Sequence, residues 1–472
     1  MPNILTAALS TALIATTPTA AQTAPPREAT LHDRAIAAGY KASIYCSAIF
    51  NAGRREVDID RVELRGIYPE YDAIVPSLKA TVDRARAFVT VDYDDGPDAS
   101  PRMSEWNPGT GCTTRPIRAP TRTGMLYRDP LPTIPAPAEA DARPWPLGDG
   151  GIAPSPGPAI AAAVDRAFDR TSHGTGSETV GVVVLHRGRI VAERYAEGFG
   201  PFVSNRTWSV AKSLAGAVIG HAQHRGILEV GQSAFIPEWG CCPGPGDVSP
   251  DPRPRISTDA LLRMTSGLHS DTAGNRTDAL YFGGATVTGQ AGSWTQIAQP
   301  GSRYRYANND TVLAIRSLRA HLDDDAAYAR FPAELFAKLG MRHTVAETDW
   351  EGNFILSSQV WSTARDLARF GLFMADDGVW DGERLLPEGW MRESITPVGA
   401  QPASGPGYGR TLWLFGPDQG LPPGSYAAQG NRGQYIMVIP SRRVIVVRRG
   451  EDPAGARFDI AKFAGDVLNA LP

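Results

Sequence analysis

Eleven prolines fall between Pro116 and Pro158, in "PIRAPTRTGMLYRDPLPTIPAPAEADARPWPLGDGGIAPSPGP". A proline locks its own φ, lacks the N–H that a helix interior or central strand donates, and steers its predecessor away from helical geometry. No regular helix or central strand can run through this stretch. The chain is therefore expected to fold as two parts joined across residues 116–157, which read as a linker or an arm wrapped over the larger part. At 472 residues there is enough chain for both cores.

The parts differ in pattern. Residues 23–115 open with a helical stretch, "REATLHDRAIAAGYKA", and continue with alternation such as "AFVTVDY", where Val89, Val91 and Tyr93 share one strand face. Residues 158–472 open with "GPAIAAAVDRAFDR", in which Ile160, Val164 and Phe168 recur at helical spacing. Two β-type runs follow, "ETVGVVVLHRG" and "RIVAERYAEG", joined as a hairpin at Arg187-Gly188-Arg189. A helix then starts at Ser209 and is closed by Gly226. Near the end "QYIMVIP" and "VIVVRRG" form a second hairpin, and "RFDIAKFAGDVLNALP" a final helix. Helix–strand–strand at one end and strand–strand–helix at the other predict an α/β chain of the α+β type: an antiparallel sheet flanked by helices, a mostly helical subdomain, and a small N-terminal α+β extension.

Residues 1–22 include a short apolar run, Ile4 to Ala15, followed by the small residues of "PTAAQ", as in a cleavable export signal. No Lys or Arg precedes Arg27, so a disordered Ala/Thr-rich tail is the alternative. Export makes the chain periplasmic or secreted and would oxidise cysteines. Of the three connectivities open to Cys46, Cys112, Cys241 and Cys242, Cys46–Cys112 is preferred, because both precede the proline-rich stretch. Cys241 and Cys242, in "GCCPGPGD", read equally as free thiols or a strained pair. The 42 arginines are scattered among 50 acids with no basic block, so nucleic acid is not an expected partner, and no later stretch is apolar enough for stable membrane insertion.

Lysine is scarce in this arginine-rich chain: Lys41, Lys79, Lys212, Lys338 and Lys462. Arginine stays charged, whereas a lysine desolvated in a cleft can lose its proton and act as a base. Lys212 lies three residues after Ser209 in "NRTWSVAKSLAGAVIG", and positions i and i+3 share a helix face. A serine hydroxyl becomes nucleophilic when a neighbouring base takes its proton, and first-turn N–H groups can receive an oxyanion. A helix-capping serine with a surface lysine one turn on is the bland alternative. No Gly-x-Ser-x-Gly, His-Glu-x-x-His or phosphate-binding loop competes, and His221 and His224 read as charges at a helix C-terminus.

"MTSGL" at Met264, "PGSRYRYANND" with Tyr306-Ala307-Asn308, and "AAQGNRGQYIMVIP" with Gly430 follow in order. Ser-x-x-Lys, then Tyr-x-Asn, then a glycine-bearing strand resembles the serine hydrolases of the β-lactamase/penicillin-binding superfamily. Among them it is similar to the 6-aminohexanoate-dimer hydrolase and class C-like esterase branch, over roughly residues 150–472. "CSAIFNAGRREVDIDRVEL" and "GTGCTTR" resemble an N-terminal extension of larger members. The resemblance implies Ser209 as acylated nucleophile, Lys212 and Tyr306 as acid/base groups, Asn308 as a supporting hydrogen-bonder, and the Ser209 and Asn431 amides as oxyanion hole, with neither metal nor organic cofactor. An ammonium beside a phenol is expected to lower the Tyr306 pKa; which of the two groups takes the proton is left open. Lactamases carry a cation where this chain has Ala428-Gln429-Gly430. Ester or linear amide hydrolysis is therefore favoured, with Arg432 the candidate substrate contact if a carboxylate is bound after all. The rivals are D,D-peptidase or β-lactamase activity, and a non-catalytic module for cell-wall peptides. Trp208, Trp361 and Trp413 read equally as pocket or core. Glu193 is expected to pair with an arginine, and Arg365 and Asp366 to be helix-start charges.

Overall fold

The computed structural model describes residues 29–66, 68–96, 100–119, 141–152, 154–240, 251–270, 277–322 and 324–472. The expected leader, residues 120–140 of the proline-rich segment and the Cys241–Cys242 pair lie outside these residues.

The long β-type runs build one seven-stranded sheet. Its order is Gly407–Tyr408, Trp413–Phe415, Ser425–Gly430, Gln434–Ile439, Val444–Gly450, Thr179–His186 and Arg189–Tyr195. All neighbours are antiparallel, and the early hairpin joins the late one by pairing Val184 with Val446. Side chains alternate across a strand. Val182 and Val184 meet Ile160, Val164, Phe463 and Val467 of the first and last helices of this part, Pro158–Arg166 and Ile460–Ala470. Val183 and Leu185 face the helical body on the other side. Burial on both faces is why "VVVL" is an unbroken apolar run. Helix Ala364–Ala375 lies close on this sheet because Gly371 has no side chain; a Cβ there would sit 2.8 Å from Ile445 Cγ2. Arg365 and Asp366 do start that helix, but both are buried: Asp366 accepts from His343 N at 2.8 Å, and Arg365 is the arginine that pairs with Glu193.

In the N-terminal part, Thr30 and Asp33 cap helix Leu31–Phe50 reciprocally, and the helix packs on an antiparallel four-stranded sheet, Ala80–Asp83, Phe88–Val91, Arg102–Asn107 and Gly111–Thr114. Every residue from Ala35 to Phe50 is buried, so this helix has no solvent face. Its core includes Val89, Val91 and Tyr93, as their shared strand face predicts, and continues into Trp208, Phe282, Val312 and Trp361 of the larger part. The arm also docks there: Trp145 Nε1 donates to Gly188 O at 2.9 Å, and Arg369 pairs with Asp149 at 3.0 Å.

A disulfide joins Cys46 on the helix to Cys112 on the last strand, across 66 residues of chain. By loop entropy, closing a loop of that size stabilises the fold by about 4 kcal/mol. Cys46→Ser is expected to lose most of this in urea unfolding, and reductant should lower wild type to the same midpoint while leaving the variant unmoved.

Candidate active site

The turn that carries Ser209, the expected nucleophile, is built by an unusual backbone. Thr207 N donates to Val360 O at 2.8 Å, and Trp208 follows in the left-handed region with φ +50°. A bulky residue is held there only when its surroundings over-determine it, at a cost of about 1–3 kcal/mol. The Arg206 guanidinium stands 3.9 Å from the Trp208 ring centroid, and Tyr68 approaches the ring edge-on at 6.2 Å. The turn delivers Ser209 to the head of helix Val210–His224, where its hydroxyl makes no capping bond. That removes the bland reading of a capping serine.

Lys212 is 1% exposed, so it is not a surface lysine either. Its Nζ lies 3.1 Å from Ser209 Oγ, 2.5 Å from Asn308 Oδ1 and 2.8 Å from Ser357 O. Burial brings its pKa down to about 7, and the nearby Arg206 charge acts in the same direction. A neutral amine fits these three partners: two N–H groups for the carbonyl oxygens of Asn308 and Ser357, and a lone pair for the Ser209 O–H.

Tyr306 is hydrogen-bonded to Ser209 and half-buried at the cavity wall. Its ring centroid is 5.1 Å from Lys212 Nζ, 5.5 Å from the Trp413 ring and 5.9 Å from Tyr408. Burial pushes its phenol well above the usual value, and the bond to Ser209 offsets only part of that. The expected lowering of Tyr306 is therefore corrected: burial is the largest cause at both groups, raising the phenol and lowering the lysine toward neutrality.

"MTSGL" positions this tyrosine. Met264 O accepts from Arg305 N at 2.9 Å and Thr265 O from Gly301 N at 2.7 Å, pinning both ends of the loop that carries Tyr306. Ser266 Oγ donates to Asp310 Oδ1 at 2.9 Å, in helix Asn308–Ala320, and burial raises that carboxyl to about 7.

The third motif closes the opposite wall. At Gly430 a Cβ would lie 2.5 Å from Thr207 O and 3.0 Å from Ser209 N, so only glycine lets strand Ser425–Gly430 reach the nucleophile turn. Ser209, Gly430 and Asn431 border one cavity of about 510 Å³, together with Trp208, Tyr306, Asn308, Trp413 and Gln429. Trp208 and Trp413 are thus pocket residues, while Trp361 is core. Ala428 is enclosed in the main core and offers the cavity nothing. Arg432 is corrected as a substrate contact. It turns away from the cavity: Nη1 pairs with Glu451, Nη2 donates to Val62 O at 3.0 Å, and Nε to Asp452 O at 3.2 Å.

Several participants were not foreseen. Ser357 contributes a backbone carbonyl, which no side-chain motif signals. Arg206 stood in the quoted stretch beside Ser209, and its position alone could have marked it. Tyr68, Pro69 and Glu70 bring the N-terminal part to the cavity rim, alongside Asp278, Tyr281 and Ser358. Among the described residues, the cavity lining holds two carboxylates and no arginine.

Comparison with known proteins bears on the family and the fold. The sequence pattern of the family described as Beta-lactamase matches residues 164–449. A 6-aminohexanoate-dimer hydrolase from Paenarthrobacter ureafaciens is 27% identical over 296 residues, 57% of this chain and 72% of that one. Two solved structures share the fold. A class C beta-lactamase in complex with cefoxitin aligns with a TM-score of 0.51 at 14% identity, over 66% of this chain and 98% of that one. Another class C beta-lactamase aligns with a TM-score of 0.50 at 15% identity, over 66% and 96%.

Proposed function

Because this chain belongs to the beta-lactamase family of hydrolases, we propose that it cleaves a carboxylic ester or linear amide through an acyl-enzyme on Ser209. One observation carries the reading: a buried lysine amine with a pKa near 7 touches a serine hydroxyl that does no capping, beside the cavity. The neutral Lys212 amine takes the Ser209 proton as Oγ bonds to the carbonyl carbon. The resulting oxyanion is received by the amides of Ser209 and Asn431. As the tetrahedral adduct collapses, the Tyr306 O–H gives its proton to the departing alcohol or amine, and Lys212 returns one to Tyr306. Water then repeats the sequence on the acyl-enzyme and releases the acid. Burial keeps the Tyr306 O–H protonated at neutral pH, and the departing alkoxide or amide nitrogen is basic enough to take that proton as its bond to carbon breaks.

The amide hydrolase named among its relatives supports linear amides as well as esters. A carboxylate-bearing β-lactam or D-Ala terminus is disfavoured, since Arg432 is engaged elsewhere and the described cavity lining holds no arginine. The test is kcat/KM for nitrophenyl acyl esters and linear ω-amino-acid amides against a chromogenic cephalosporin. The expected ratio is at least about 10²-fold in favour of the first group, the scale of discrimination that differences in pocket contacts alone produce. A cephalosporin turned over as fast overturns the assignment.

Tyr306→Phe separates the acid from the base. General acid catalysis contributes about 10²–10⁴-fold where the leaving group needs a proton. The variant should lose that much on an amide and less than about tenfold on a nitrophenyl ester, whose phenolate departs unaided. Equal losses on both would remove the acid role.

The Cys46–Cys112 disulfide and the apolar run near the N-terminus support a periplasmic or secreted site of action. Among the described residues, no helix is long and apolar enough to cross a membrane.

A further inference from the structure

Both walls of the expected oxyanion hole are tied to the N-terminal part. On one wall Trp208, the strained residue just before Ser209, is packed into the core of helix Leu31–Phe50, with Tyr68 against its edge. On the other wall Arg432 follows Asn431 in the left-handed region, φ +56°, so that the chain reverses and Gly430 pairs with Gln434. Arg432 N donates to Asn431 Oδ1 at 2.9 Å. Its guanidinium then bridges the two parts: Nη2 donates to Val62 O of the N-terminal part at 3.0 Å and to Glu451 O of its own part at 2.9 Å. The neighbouring Glu63 is fixed by Arg54 at 2.8 Å. Every guanidinium nitrogen is engaged, as a planar fork allows and a lysine does not.

We propose that Arg432 is a positioning residue: it grips a carbonyl of the N-terminal part and so holds the Asn431 amide against the nucleophile turn. The N-terminal part is then a working component of the oxyanion hole. This rests on the acyl-transfer reading above. An amide displaced by about 1 Å costs on the order of 10²-fold in rate, with little effect on ground-state binding.

The test uses the full chain with Arg432→Gln and Arg432→Lys, counting active sites by fluorophosphonate labelling. For a nitrophenyl ester, kcat per labelled site should fall about 10²-fold in R432Q and at least about tenfold in R432K, with KM within about twofold. Phenylboronic acid, whose serine adduct places an oxygen in the hole, should lose affinity in parallel. The pH dependence should keep its limb near 7, because Lys212 is undisturbed. A merely structural arginine would lower the labelled fraction and the melting temperature but leave kcat per labelled site unchanged. That outcome overturns the proposal, and R432K alone decides it if R432Q does not fold. If Ser209→Ala hydrolyses the ester as fast as wild type, the acyl-transfer reading itself falls and this proposal with it. An active wild type with unaltered variants removes only the clamp.

Discussion

Ser209→Ala is expected to lower kcat by about 10⁴–10⁶-fold while leaving the melting temperature within a few degrees. Removing a nucleophile that works together with its base abolishes the covalent route, and the residual rate comes from the remaining site. The substitution deletes one oxygen that makes no capping bond, so the fold loses little. Intact mass after a fluorophosphonate gives the cleaner readout. Wild type should gain one adduct and the variant none. Labelling of both proteins would place the reactive group elsewhere and dismantle the whole assignment.

Lys212→Arg is the second large effect, with an expected loss of at least about 10³-fold. Arginine keeps the charge and much of the length but cannot surrender its proton near neutrality. The base works only when neutral. With Lys212 near 7, log kcat/KM in wild type should rise by one unit per pH unit below about pH 7 and level off above it. Arg206→Met removes one of the two causes that hold this value down, so its limb should move to lower activity at neutral pH, with the midpoint displaced upward. A wild-type limb near pH 10 would mean that the ammonium persists in the working enzyme. Lys212 would then stabilise charge rather than take a proton.

The proposed nucleophile and its proposed base could be singled out from sequence because their relation is local: three residues apart on one helix, in a chain that otherwise avoids lysine. The sheet was visible in its continuous valine runs and the terminal helices in their periodicity. Tyr306 and Asn308 needed the family resemblance, since nothing in "YRYAN" alone distinguishes one tyrosine from the other. The direction of the Tyr306 shift was misread because charge proximity can be guessed from a motif, whereas enclosure by Trp413 and Tyr408, about a hundred residues further on, cannot. Arg432 was misread for the same reason. Its position beside Gly430 suggested a substrate, while its partners, Val62 and Glu451, are placed by the folded chain. The proline-rich stretch implied two separable parts. It concealed the fact that Tyr68 and Trp208 meet across it.

The shared core governs how this protein is made. Ser47 on helix Leu31–Phe50 makes its 2.6 Å bond with Glu347, 300 residues further along the chain. The apolar surface from Ala35 to Phe50 is covered only together with residues as distant as Trp361. The first long hairpin, too, keeps an open edge until Val444–Gly450 pairs with Thr179–His186. Contacts so distant along the chain fold slowly and leave sticky surface exposed meanwhile. Refolding from denaturant should therefore be slow and lose protein to aggregation, and fragments that end before residue 444 should stay inactive.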